Sequence, residues 1–191
     1  MSSGSGARRT VVLFEGRSDS LAFRALASRR GASLEALTLV DLDGVTNLRR
    51  ALTGLRGDDP DARVLGLYDA AEGRYVTGVL KDVGMLAAAA DDPGAVGFFG
   101  CQRDLEDEVI RAAGAELVLQ TLAARGELAR FRVFQGQPAQ RERSLSQQLH
   151  RFAGTAAGRK ARFAADVIDV VPLERMPPPL TALLDVAVSG V

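Results

Sequence analysis

The feature that most constrains this chain is Thr10-Val11-Val12-Leu13-Phe14, an unbroken apolar run that stops abruptly at Glu15-Gly16-Arg17-Ser18-Asp19. An apolar run without polar alternation reads as a strand buried on both faces, which demands a layer of structure on either side of a sheet. Ser18 or Asp19 can cap a helix running from about Leu21 to Arg30, where Leu21, Ala22, Ala25 and Leu26 fall at helical spacing. The alternation continues. Leu37 to Leu42 reads as a second strand, Leu48, Leu52 and Leu55 as the apolar stripe of a helix, and Val64 to Asp69 as a third strand beyond the Asp58-Asp59-Pro60-Asp61 turn. Strand, helix, strand, helix, strand argues for a parallel sheet with covering helices, because right-handed crossovers are the usual way to join parallel neighbours.

Further along, a helix is expected from Arg74 to about Leu80, a second from Leu86 to Ala90, and a fourth strand from Ala95 to Cys101. Acids crowd the next helix start, Asp104-Leu105-Glu106-Asp107-Glu108, and favour its positive end. Beyond Ala115 the strand signal fades. Leu117 to Arg125, Glu127 to Phe134, Ser144 to Phe152, Arg159 to Val171 and Leu180 to Val188 read as helices. The expected architecture is α/β: an open, mainly parallel sheet with helices on both faces over residues 8–114, and a helical C-terminal region, 115–191, packed on it.

Composition narrows the chemistry. One cysteine, Cys101, forbids an intrachain disulfide, and with a single histidine the usual Cys/His zinc frameworks are excluded, so any metal must be held by carboxylates. No apolar run is long enough to span a membrane, and the Ser/Gly leader before Ala7 has no apolar core, so a cytoplasmic protein is expected. The net charge is zero but unevenly spread: residues 1–114 carry 14 basic and 17 acidic side chains, whereas residues 125–162 carry nine basic ones against only Glu127 and Glu142. An acidic half that can collect cations thus adjoins a basic one that can meet a polyanion, although a solvated helical face gives the same count.

Acids stand at three strand ends: Glu15 with Asp19, Asp69 with Glu72, and the cluster Asp104, Glu106, Asp107 and Glu108. In a parallel sheet these ends share one edge, where open α/β sheets place their ligands. Each acid alone also reads as a cap or a solvated residue; the constellation carries the argument. Packed carboxylates repel unless a cation sits among them, and oxygen-only ligation suits Mg2+ or Mn2+ together with substrate phosphate. One or two such ions can polarise a phosphodiester and generate hydroxide.

These residues resemble the Toprim domain of topoisomerases, bacterial primases and recombination mediators, most of all the version in the OLD (overcoming lysogenization defect) family nucleases. The likeness rests on Glu15 to Asp19 after an apolar strand, Asp69 after a later one and Asp104-Leu105-Glu106 after another. It extends to Gly44-Val45-Thr46-Asn47, to Phe98 to Glu106, and to Gly158-Arg159-Lys160-Ala161-Arg162-Phe163-Ala164. The resemblance implies a metal-dependent nuclease. Glu15 would be a metal ligand or general acid/base, Asp19 the second acid of the same motif, Asp69 the first aspartate of an Asp-x-Asp pair, and Asp104 and Glu106 the later ligands. Ala71 stands where the second aspartate of the pair belongs, so either Glu72 supplies the missing oxygen or one metal is lost. Glu108 falls one helical turn from Asp104 on the same face. Lys160 matches a lysine that the OLD nucleases use near the scissile phosphate.

Lys160 also stands out within this chain, which has 22 arginines and only two lysines. A compact ammonium can offset developing phosphate charge, though a surface charge on a helix explains it too. Arg141, Arg143, Arg151, Arg159 and Arg162 are candidates for sequence-independent phosphate contacts. His150 reads as a surface residue of an amphipathic helix, Cys101 as packing, and Phe131, Phe134, Phe152 and Phe163 as core. Gly44 to Asn47 reads equally as a phosphate-binding helix start and as a capping turn. The expected function is a Mg2+- or Mn2+-dependent phosphoryl-transfer enzyme, a DNA endonuclease. No Gly-x-x-x-x-Gly-Lys-Ser/Thr stretch occurs, so no ATP site is expected, and any regulation would come from a protein partner or from none. DNA is the expected partner, no membrane is, and a homodimer is left open. The alternative is a non-catalytic module that binds nucleic acid or a protein, which Ala71 favours.

Overall fold

The computed structural model describes residues 8–189. Strand β1 (Thr10–Phe14) is buried along its whole length. It pairs in parallel with β2 (Leu37–Asp41) on one side and β3 (Arg63–Tyr68) on the other, and β3 pairs in parallel with β4 (Phe98–Gly100), giving the order β2-β1-β3-β4. The two crossovers out of β1 and β2 leave in opposite directions along the sheet, which opens a crevice where β1 and β3 lie side by side.

Alternate residues of the central strands feed two separate cores. Val11, Leu13, Val64 and Phe98 pack with Leu48 and Leu52 of α2 (Leu48–Asp58) and with Val76, Val79 and Leu80 of α3 (Gly73–Asp82). Val12, Phe14, Leu65 and Leu67 face the other way. They pack with α1 (Arg17–Arg29) and with the helices that follow β4: α4 (Leu105–Ala113), α5 (Ala115–Ala124), α6 (Leu128–Gln135), α7 (Leu145–Ala153), α8 (Ala157–Ile168) and α9 (Pro178–Val188). Helix α8 lies along α1, and α9 returns to cover β3 and β4. The helical C-terminal region therefore shares a single apolar cluster with the sheet. Gly66 lets the Phe98 ring lie against β3, since a Cβ there would stand 2.6 Å from that ring.

Three expected boundaries are corrected. Helix α1 begins at Arg17, not Leu21: Gly16 is the extended N-cap and Asp19, three residues in, accepts the Gly16 backbone N–H at 3.2 Å. Residues 86–90 are not helical, because Gly84 at φ 71° turns the chain out of α3 and so short a segment cannot nucleate a helix of its own. The fourth strand starts only at Phe98, since the Asp92 carboxylate accepts the Gly94 N–H to cap a short 3-10 turn, Pro93–Val96, and left-handed Gly97 ends it. No helix among the described residues is long and apolar enough to cross a membrane.

Candidate active site

The carboxyl ends of the strands open onto a cleft of about 560 Å³. Glu15, directly after β1, and Asp69, directly after β3, sit on either side of the crevice, where burial of one strand edge meets the opening to solvent. Backbone hydrogen bonds hold the loops that carry them: Gly44 N–H donates to Glu15 C=O, and Ala70 N–H donates to the carbonyl of Arg103. Asp19 enters from the first turn of α1, and Asp104 and Glu106 from the start of α4. The opposite wall is α7 and α8, which present His150, Ala157, Lys160 and Ala161. Acids from three separate strand ends thus line one cavity.

Their electrostatics record how close they are. Burial first, then the Glu106 and Glu15 charges, push Asp19 up to about 7, against the pull of the Gly16 N–H. Burial also lifts Asp69, to about 8, with Asp19, Glu15, Asp104 and Glu106 all adding to the rise. Glu15 is raised by burial and by Glu72, while Lys160 draws it back down. Glu72 therefore belongs to the field of the site, although it does not line the cleft. Burying several like charges is costly, and a cation between them removes that cost.

Among the described residues no group of three or more His, Cys, Asp or Glu side chains is drawn tightly enough to hold a metal ion outright. The donor set nevertheless fits Mg2+ or Mn2+. Its members are all carboxylates at the cleft, and Mg2+ keeps most of its waters and asks the protein for one or two carboxylates.

Not every nominated residue reaches the cleft. Glu108 is buried and turned away: its carboxylate accepts the Gln102 N–H at 2.8 Å and pairs with Arg111 at 2.8 Å, a structural role in the turn before α4. The Arg159 side chain is only 10% exposed, bonded to Glu127, to the Phe152 carbonyl and to Thr155, with its guanidinium 3.7 Å above the Phe152 ring. Its donors serve the α6–α8 packing, not a phosphate. Arg141, Arg143, Arg151 and Arg162 are exposed, and Arg143 spends one donor on the Ala139 carbonyl. Lys160 is exposed at the cleft.

Two site residues were not legible in the sequence. His150 is not a plain surface residue: its Nε2 lies 2.7 and 2.9 Å from the two oxygens of Asp104. Ser18, considered only as a cap, donates its hydroxyl to Glu106 at 2.9 Å and ties the first turn of α1 to that of α4. The cleft lining also includes Asp43, the one non-glycine residue with positive φ among the described residues, at 55° beside Gly44. Asn47 holds that loop through its side-chain N–H donors to the Leu42 and Asp43 carbonyls.

Two structures of the C-terminal region of the Xanthomonas campestris pv. campestris OLD protein superpose on 93% of this chain and 93% of their own, with TM-scores of 0.64 and 0.66 at 22% and 21% identity. The C-terminal region of the Burkholderia pseudomallei OLD protein matches 94% of this chain and 96% of its own, with a TM-score of 0.66 at 16% identity. The fold is that of the OLD C-terminal region. No protein-family model and no curated protein matches the sequence. The OLD-like Toprim fold accounts for both halves of the chain, since the match runs through the sheet and the helical region alike.

Proposed function

We propose that this chain is a Mg2+- or Mn2+-dependent phosphoryl-transfer enzyme, a nuclease acting on DNA. One observation carries the reading: carboxylates from three separate strand ends meet at the switch point of the sheet, with the Lys160 ammonium on the facing wall. Glu15, Asp69, Asp104 and Glu106 would hold the ion, with Asp19 behind them. A bound divalent ion would polarise the phosphodiester and supply hydroxide at neutral pH. Glu15, its pKa raised by burial, is suited to take a proton from an attacking water. Lys160 offsets negative charge gathering on the phosphoryl oxygens. Arg141, Arg143 and Arg162 contact backbone phosphates and orient the strand without reading its sequence.

A binding module without catalysis is the second reading. Ala71, exposed where a further acid would complete the pair after β3, favours it, as does the lack of a closed three-donor group among the described residues. Cleavage of supercoiled plasmid separates the two. With Mg2+ or Mn2+ the native protein nicks or linearises the plasmid, and Glu15→Ala and Lys160→Ala each lower the rate by roughly 10²–10³-fold. Intact plasmid under both metals, with a melting temperature that ignores both ions, would hand the argument to the binding module.

A further inference from the structure

His150, which its helical pattern marks as a surface residue, holds the most tightly restrained carboxylate of the cleft. The Asp104 carboxylate is fixed from two elements at once. From its own helix, Oδ1 accepts the Asp107 backbone N–H at 2.8 Å, which makes Asp104 the N-cap of α4. From α7, the His150 ring places Nε2 at 2.9 Å from Oδ1 and 2.7 Å from Oδ2. A carboxylate offers acceptor sites only, so the Nε2 nitrogen carries the proton and donates it between the two oxygens. The flanking Arg103 guanidinium stands further off, at 3.6 Å. Two N–H donors on a group with about four lone-pair directions leave the Asp104 carboxylate, which lines the cleft, with acceptor capacity to spare. The ring itself is held: α7 packs against α4, its neighbours Leu149 and Gln148 are buried, and the Ser144/Gln147 capping box pins the start of the helix.

We propose that His150 is a positioning residue for Asp104, setting the orientation in which that carboxylate meets a divalent ion. This rests on the metal-dependent reading of the cleft. His150 does not touch the substrate; it acts through Asp104, so that an element 46 residues away in the chain decides how one ligand is presented. An N–H donor directed at Asp104 is what the geometry asks for, and a glutamine amide can reach nearly the same point from the same backbone position.

Mn2+ binding followed by electron paramagnetic resonance tests this without relying on activity. The native protein is expected to bind Mn2+, His150→Ala to bind it about 10–100-fold more weakly, and His150→Gln to recover all but about threefold of the loss, as expected for an outer-sphere hydrogen bond to a ligand. Equal affinity in the native protein and His150→Ala, or no recovery in His150→Gln, overturns the proposal and leaves the metal reading intact. A native protein that binds no Mn2+ overturns both. Because the chain has a single histidine, the native imidazole also gives an unambiguous signal by 1H–15N correlation should a variant not fold. The expected spectrum has a proton on Nε2 and shifts on adding Mg2+; a ring with no proton on Nε2, or a ring that ignores Mg2+ while the melting temperature responds to it, overturns the proposal.

Discussion

At the scale of single residues, Asp19 and Asp69 show what the cleft costs the fold. Both carboxyls are raised, to about 7 and about 8, chiefly by burial. An acid whose folded pKa exceeds its unfolded value binds its proton more tightly in the native state. Folding is then favoured where the group is protonated, and that stability is lost as pH rises from about 4 through the folded values. Without divalent ions, the melting temperature is therefore expected to fall between pH 5 and pH 8, and Asp69→Asn to raise it by roughly 3–8 °C at pH 8. Mg2+ should flatten the pH dependence of the native protein. Differential scanning calorimetry across that range checks it, and an Asp69→Asn protein that melts below the native one at pH 8 would refute the account.

At the scale of elements, the basic helices divide into arginines that build and arginines that remain free. Arg159 joins α8 to α6 and α7 through Glu127, the Phe152 carbonyl and the Phe152 ring, whereas Arg141 stands exposed in the turn before α7. Arg159→Ala should lower stability by about 1–2 kcal/mol through lost hydrogen bonds and stacking. Arg141→Ala should leave the melting temperature unchanged and reduce the slope of log affinity for DNA against log salt by about 1. Filter binding at several salt concentrations, beside thermal melts, distinguishes the two. A melting loss in Arg141→Ala, or an undisturbed Arg159→Ala, would mean that the roles are misassigned.

At the scale of the whole molecule, the helical region completes the core instead of decorating it. Phe163, Ala164, Val167 and Ile168 of α8 and Leu180, Leu183 and Leu184 of α9 are buried in the same cluster as Val12, Phe14 and Leu26. Helix α9 covers β3 and β4, and without it one face of the sheet would lie open. A fragment comprising residues 8–114 is thus expected to lose cooperative unfolding and to bind a hydrophobic dye, while the full chain melts in a single transition. A fragment with its own sharp transition would show that the sheet can be closed without α8 and α9. The cleft depends on the same closure, since His150 and Lys160 reach it from the helical region.

Strands β1 and β3 and most of the helices were legible from local pattern, because a strand buried on both faces must be apolar throughout and a half-buried helix must repeat its apolar residues every turn; β2, an edge strand, showed as a short apolar run between turns. The late start of β4 was not, since a capped 3-10 turn and a left-handed Gly97 override the strand propensity of Ala95 and Val96. The acids after β1, β3 and β4 could be nominated for one site because parallel strands send their carboxyl ends to a common edge, and Glu15, Asp19, Asp69, Asp104 and Glu106 do line the cleft, whereas Glu72, Asp107 and Glu108 do not. Which charges remain free there was a matter of packing: Arg159 and Glu108 are consumed by neighbours, and Ser18 and His150 are brought to Glu106 and Asp104 across 88 and 46 residues. Periodicity carries the free energy of burying a face and so writes the elements into the sequence. A hydrogen bond between two polar side chains leaves no such trace, and only the docking of α7 and α1 against the first turn of α4 decides it.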